Sequence, residues 1–187
     1  EKDALKRLEQ VRKENLSAED VDALFFYRGY AYVDRKKYEE ASYEFGNLLK
    51  RNSEKYRVPA HYYYGYCQYR LENYSVALEN ILVAENDPNF KEETPLLLCR
   101  LYFLLDNCEK STQYAEKIIA SGDVKKEKAE VYKILAVCKF NNKEYAKTIE
   151  LLEKHQKLSK KMTREDWYVW GMSYYNTEQY DKAVKTL

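Results

Sequence analysis

Tyrosine is the residue type with most chemistry to offer in this chain. There are 20 of them, and each joins a large apolar ring to a hydroxyl that needs a partner, which suits half-wet surfaces. The other reactive types are sparse. His61 and His155 stand far apart, and Cys67, Cys99, Cys108 and Cys138 form no C-x-x-C pair and have no histidine at ligand spacing. No Ser/His/Asp or Cys/His constellation can be assembled, and no glycine-rich phosphate loop exists. The many carboxylates fall on the polar stripes of amphipathic helices, where charge is expected. These readings argue against an enzyme, a metal site and a cofactor.

Charge narrows the choice further. The chain carries 32 basic and 31 acidic residues, a net charge of +1, without the basic excess that a nucleic-acid binder needs for phosphates. The runs Lys125-Lys126-Glu127-Lys128 and Lys157, Lys160, Lys161 are broken or followed by acids and read as solvated turns. No apolar stretch is long enough to span a membrane. The sequence opens on Glu1 and stops inside a helical pattern, so it reads as a piece of a longer array. That leaves a cytoplasmic or a periplasmic location open, because a targeting segment could have been removed.

The elements that must position the tyrosines recur. With only 5 Gly and 3 Pro in 187 residues, turn punctuation is too scarce for an all-β chain, and helix formers dominate. Phe25-x-x-Arg28-Gly29-x-x-Tyr32 puts large residues and a glycine on one helical face; after a polar turn, Tyr38-x-x-Ala41-x-x-x-Phe45 forms a second stripe. The landmarks return as Gly65, Tyr74 and Ala77, each 36 residues on. They return again in Trp167-x-x-Trp170-Gly171-x-x-Tyr174 and Tyr180-x-x-Ala183-x-x-x-Leu187. Ser17 followed by Asp20 marks a helix start, and Pro59 suits a first helical turn.

This pattern resembles the tetratricopeptide repeat, W-x2-L-G-x2-Y…A-x3-F…P. The resemblance covers about 22–187 and implies an all-α, right-handed superhelical solenoid of stacked helix–turn–helix units in one domain, 1–187. Repeats are expected at about 22–53, 58–88, 94–122, 129–160 and 164–187. Residues 1–20 are expected to hold an N-terminal helix, over 1–14, or the remnant of a preceding repeat. The third unit reads as degenerate. Phe103 falls at the glycine position, Ala115 and Ile119 give the second-helix spacing, and the turn at Asp106-Asn107 looks longer than the others. Its helices are therefore expected to stand further apart.

The family buries a small residue two positions after the glycine, occupied here by Ala31, Cys67, Cys138 and Ser173. The resemblance thus makes Cys67 and Cys138 plain small fillers. His61 falls on the packing position of Phe25 and Trp167 and reads as core or half-buried. His155, between Lys154 and Lys157, reads as exposed.

In such solenoids the first helices of successive units line a concave face. The positions that the family turns toward it are Phe26, Tyr30, Tyr62, Tyr66, Tyr168 and Met172, with Tyr69 and Tyr175 one turn further on. Lys133 is the only lysine among the aligned positions, so the groove does not resemble the lysine- and asparagine-lined clamp that grips chaperone tails. The resemblance, to multi-repeat scaffolds common in bacteria, implies a non-catalytic adaptor holding a partner peptide or protein segment against an aromatic face. Two alternatives stay open: a carbohydrate-binding or processing-associated module, since stacked rings also hold sugars, and self-assembly through repeat ends. Oligomeric state is left open with them.

Overall fold

Each of five helical hairpins turns on one residue with a left-handed backbone, and none of the five is glycine. They are Lys36, Glu72, Asp106, Lys143 and Glu178, with φ of 58°, 64°, 56°, 62° and 63°. After each, the next N–H reaches back five residues to close the preceding helix: Lys37 to the Tyr32 carbonyl, Asn73 to Gln68, Asn107 to Tyr102, Glu144 to Lys139 and Gln179 to Tyr174, at 2.8–2.9 Å. This satisfies helix-end carbonyls that would otherwise lack partners. The third turn is therefore no longer than the rest.

The computed structural model describes residues 2–121, 125–159 and 161–187. The side chains of Lys125, Lys126 and Glu127, and all of Lys160, lie outside that description. So does Gly122, which closed the expected third repeat. The described residues form eleven α-helices and one 3-10 turn, with no strand. They group into two compact units, 1–94 and 95–187.

The first unit holds α1 (Lys2–Gln10), α2 (Ala18–Asp34), α3 (Tyr38–Lys50), α4 (Arg57–Arg70) and α5 (Tyr74–Ala84). Ser17 caps α2 by accepting the Asp20 N–H at 3.1 Å. The first helix, expected over 1–14, ends at Gln10 and gives way to the 3-10 turn Lys13–Asn15. Arg12 between them is extended, and Val11 has no core to face. Leu5 anchors α1 in the cluster formed by Tyr32, Ala41, Phe45 and Cys67, and the Tyr32 hydroxyl donates to Glu9 at 2.9 Å.

Close packing explains the glycine of the first two hairpins. A Cβ at position 29 would lie 2.8 Å from the Phe45 ring, and one at position 65 would lie 2.9 Å from Ile81 and 3.1 Å from the Ala77 carbonyl. The large residue of the second helix occupies the space that the glycine leaves. Arg28, at the position of the family's leucine, is tied to the buried Glu44 by a 3.0 Å ion pair.

The second unit holds α6 (Thr94–Leu104), α7 (Cys108–Ala120), α8 (Lys125–Asn141), α9 (Tyr145–Leu158), α10 (Arg164–Asn176) and α11 (Tyr180–Thr186). Counting back from the left-handed residue, the glycine position of the third hairpin is Cys99, not Phe103. Its second-helix pair is Ser111 and Ala115, where the first hairpin has Ala41 and Phe45. All three residues are fully buried, and the Ser111 hydroxyl donates to the Cys99 carbonyl at 2.9 Å. The expected separation of these helices is therefore wrong. A larger residue on α6 meets a smaller one on α7, so the filled volume has changed sides.

Cys138 is not a plain filler: it forms a disulfide with Cys108, Cα to Cα 5.4 Å. Cys108 stands where the other hairpins have Tyr38, Tyr74, Tyr145 and Tyr180, and in the first unit Tyr38 packs on the cluster containing Cys67. One tyrosine–cysteine neighbourhood has become a covalent link between α7 and α8. Cys67 and Cys99 are free and buried. His155, expected at the surface, is 5% exposed. Its Nδ1–H donates to the Ala129 carbonyl at 2.7 Å, and Nε2 faces Asp166 at 3.9 Å.

Candidate functional site

Three of the eight expected residues, Tyr30, Tyr62 and Tyr66, come together in a groove of about 460 Å³ in the first unit. α2 supplies Tyr30, Val33 and Asp34, and α4 supplies Tyr62, Tyr63 and Tyr66. The turn that follows α5 closes the groove with Asn89, Phe90 and Glu93.

Tyr63 is the hub of this aromatic cluster. Its ring meets Tyr30 edge-on at 5.4 Å, stacks on Phe45 at 5.5 Å, and lies 5.2 Å from Tyr62 and 6.0 Å from Phe90. Phe90 stacks flat on Tyr62 at 4.3 Å. Offset and edge-to-face contacts of this kind stabilise beyond their buried area, so the wall is built before any ligand arrives. Phe90 itself is held by a compact turn: its N–H donates to the Asp87 carbonyl at 3.0 Å, and the Asp87 carboxylate accepts the Asn89 N–H at 2.9 Å.

Burial pushes the Tyr62 hydroxyl up to about 12, helped by the Glu93 charge. Burial, with Tyr30 and Glu93 nearby, raises Tyr63 as well. Both phenols stay neutral at physiological pH and keep their protons as hydrogen-bond donors. Tyr30 is 49% exposed. Tyr66 accepts a hydrogen bond from Arg70 at 3.2 Å, and that guanidinium lies over the Tyr38 ring.

The other five expected residues are placed differently. Phe26 turns inward, stacked on Tyr56 at 4.9 Å and packed on the core. Tyr69 lies beside Tyr74, 6.2 Å away, outside the groove lining. Tyr168 and Tyr175 are exposed on the second unit and Met172 is half-buried there; Tyr175 meets Tyr180 edge-on at 5.5 Å. Lys133 does not stand free on this face but pairs with Asp166 at 2.8 Å.

Among the described residues no cluster of three or more His, Cys, Asp or Glu could hold a metal ion, and no helix is long and apolar enough to cross a membrane. His61 is half-buried, with Nδ1 2.7 Å from the Asn80 side chain. Tyr63, Phe90, Asp34, Asn89 and Glu93 are groove residues that the repeat pattern does not mark. Phe90 had one cue, a lone aromatic in the polar run Asn86-Asp87-Pro88-Asn89.

A tetratricopeptide-repeat family model matches residues 28–89, and the model for anaphase-promoting complex, cyclosome, subunit 3 matches residues 105–187. The chain is a tetratricopeptide-repeat protein. No curated protein sequence matches it, but solved structures share the fold. MamA residues 41–end from Desulfovibrio magneticus RS-1 superposes with a TM-score of 0.72 at 15% identity, over 89% of this chain and 91% of that one. YrrB, described as a TPR protein with an unusual peptide-binding site, gives 0.69 at 14% identity, covering 87% and 81%. The APC/C hetero-tetramer Cut9–Hcn1 gives 0.60 at 17% identity, where 97% of this chain covers 35% of that one. At these identities the likeness is one of fold. That likeness accounts for the all-α hairpins.

Proposed function

We propose that this tetratricopeptide-repeat protein is a non-catalytic interaction scaffold that holds a segment of a partner protein in the aromatic groove of its first unit. The observation that carries the reading is the built cluster of Tyr62, Tyr63 and Phe90 beside the exposed Tyr30. Rigid rings lose little side-chain entropy on binding and serve well as anchors. A volume of about 460 Å³ suits one or two side chains of an extended segment. The peptide-binding site in YrrB's description supports the same use of the fold.

A second reading draws support from one observation. Asp34, Asn89 and Glu93 line the groove, and sugar sites pair such groups with rings. Against it, Phe90 already covers one face of Tyr62, which removes the flattest platform.

The test replaces Tyr30 and Tyr66 together by Ser, with circular dichroism to confirm the helices. Photo-crosslinking from position 89, an exposed lining residue left unchanged by the substitutions, should give discrete protein adducts in native extract that the double variant loses, while a glycan array stays blank. Glycan binding lost in the same variant would favour the second reading. Adducts indifferent to the substitution would move the working surface elsewhere.

A further inference from the structure

The groove is charged as well as aromatic, and its charge has one sign. Asp34 and Glu93 line it, while no Lys, Arg or His is among its lining residues. Both carboxylates are exposed, and neither belongs to an ion pair among the described residues. The chain as a whole is balanced, so this is a local concentration. Asp34 is also the last residue of α2, where the helix dipole disfavours a carboxylate. Helix stability does not account for it.

Tyrosine faces carry negative potential and attract cations. The chain itself uses this at the groove's rim, where the Arg70 guanidinium lies 4.5 Å from the Tyr38 ring centre and 6.0 Å from that of Tyr66. A planar guanidinium both stacks on rings and forks to carboxylates, which an ammonium does less well.

We propose that the groove takes an arginine side chain from an extended segment of the partner protein, its guanidinium against the tyrosine rings and Asp34 and Glu93 as its counter-charges. This rests on the peptide-scaffold reading above and names the chemistry that the partner must carry.

A random peptide library panned on the 187-residue chain tests it. Recovered peptides should be enriched in arginine. Replacing that arginine by citrulline, or using Asp34→Asn with Glu93→Gln, should weaken binding about tenfold, and added salt should weaken it further. The paired amide variant should keep its helical circular dichroism, since both carboxylates are solvent-facing. Peptides that depend on Tyr30 and Tyr66 but show no arginine preference, or tolerate citrulline or the amide variant, would overturn the cation proposal and leave the scaffold reading standing. Equal binding after an arginine-to-lysine change would overturn the guanidinium assignment. A selection yielding no peptide sensitive to Tyr30→Ser with Tyr66→Ser would overturn both.

Discussion

The same two helix positions are spent differently in the two units. In the first unit they are Phe26 and Tyr30, then Tyr62 and Tyr66. In the second they are Leu96 and Arg100, Lys133 and Val137, and Tyr168 and Met172. There Arg100 is bound to Glu130 by two hydrogen bonds, at 2.6 and 2.5 Å, and Lys133 to Asp166 at 2.8 Å. At these positions Arg100 and Lys133 of the second unit join successive helices, whereas Tyr30, Tyr62 and Tyr66 of the first line a groove beside two exposed carboxylates, Asp34 and Glu93. A repeat position thus fixes where a side chain stands, and its neighbours decide whether it is structural or available.

The largest test of this contrast is covalent. Cys108→Ser with Cys138→Ser removes a link across 30 residues and should cost about 3 kcal/mol in the oxidised protein. The loss should appear in the second unit, read by Trp167 and Trp170 fluorescence, and vanish when wild type is reduced. Equal melts before and after reduction would show that the link contributes nothing.

Gly65→Leu should destabilise the first unit by about 1–3 kcal/mol, because Ile81 and the Ala77 carbonyl already fill the space. The matching change in the third hairpin, Ala115→Leu, should be overpacked as well, and Cys99→Gly should relieve it. A double variant no better than Ala115→Leu would break the idea that volume has changed sides.

Acid separates the units next. Burial raises the Asp166 carboxyl, but the Lys133 ammonium and the Thr163 capping hydrogen bonds outweigh it and hold it below the usual range. That contribution is present above about pH 4 and is lost as pH falls through the folded value. Glu44 is the reverse: burial raises it against the pull of Arg28 and Lys13, so its charged form weakens the first unit and protonation relieves it. On acidification, tryptophan fluorescence should therefore report the second unit loosening before amide exchange rises in α2 and α3. Simultaneous loss would contradict the assignment.

The smallest effect concerns the turns. Glu72 holds a left-handed backbone without being glycine, so Glu72→Gly should stabilise by about 0.5–1 kcal/mol. A destabilised variant would mean that its side chain contributes more than its backbone costs.

These turns also show how far the sequence could be read. Gly29, Gly65 and Gly171 made the hairpins legible because close helix contact demands a small residue. The third hairpin was misread because Cys99 and Ala115 meet the same demand with different residues, and the left-handed turn residues are too varied to give the register. His155 was misjudged from its lysine neighbours, since a helix position next to charges can still face inward. The disulfide was hidden because Cys108 replaces a tyrosine rather than a cysteine of the repeat. Tyr30, Tyr62 and Tyr66 followed from repeat register, but Phe90 and Glu93 lie on a turn between repeats, where periodicity is silent.

The most direct measurement is the photo-crosslink from position 89, made with and without Phe90→Ala. Phe90 touches Tyr62 and Tyr63, so its removal should dismantle the groove wall while the hairpins remain. The account predicts discrete partner adducts in wild type and their loss in Phe90→Ala with helicity retained. Adducts of equal yield in both proteins would show that the built aromatic groove is not what holds the partner.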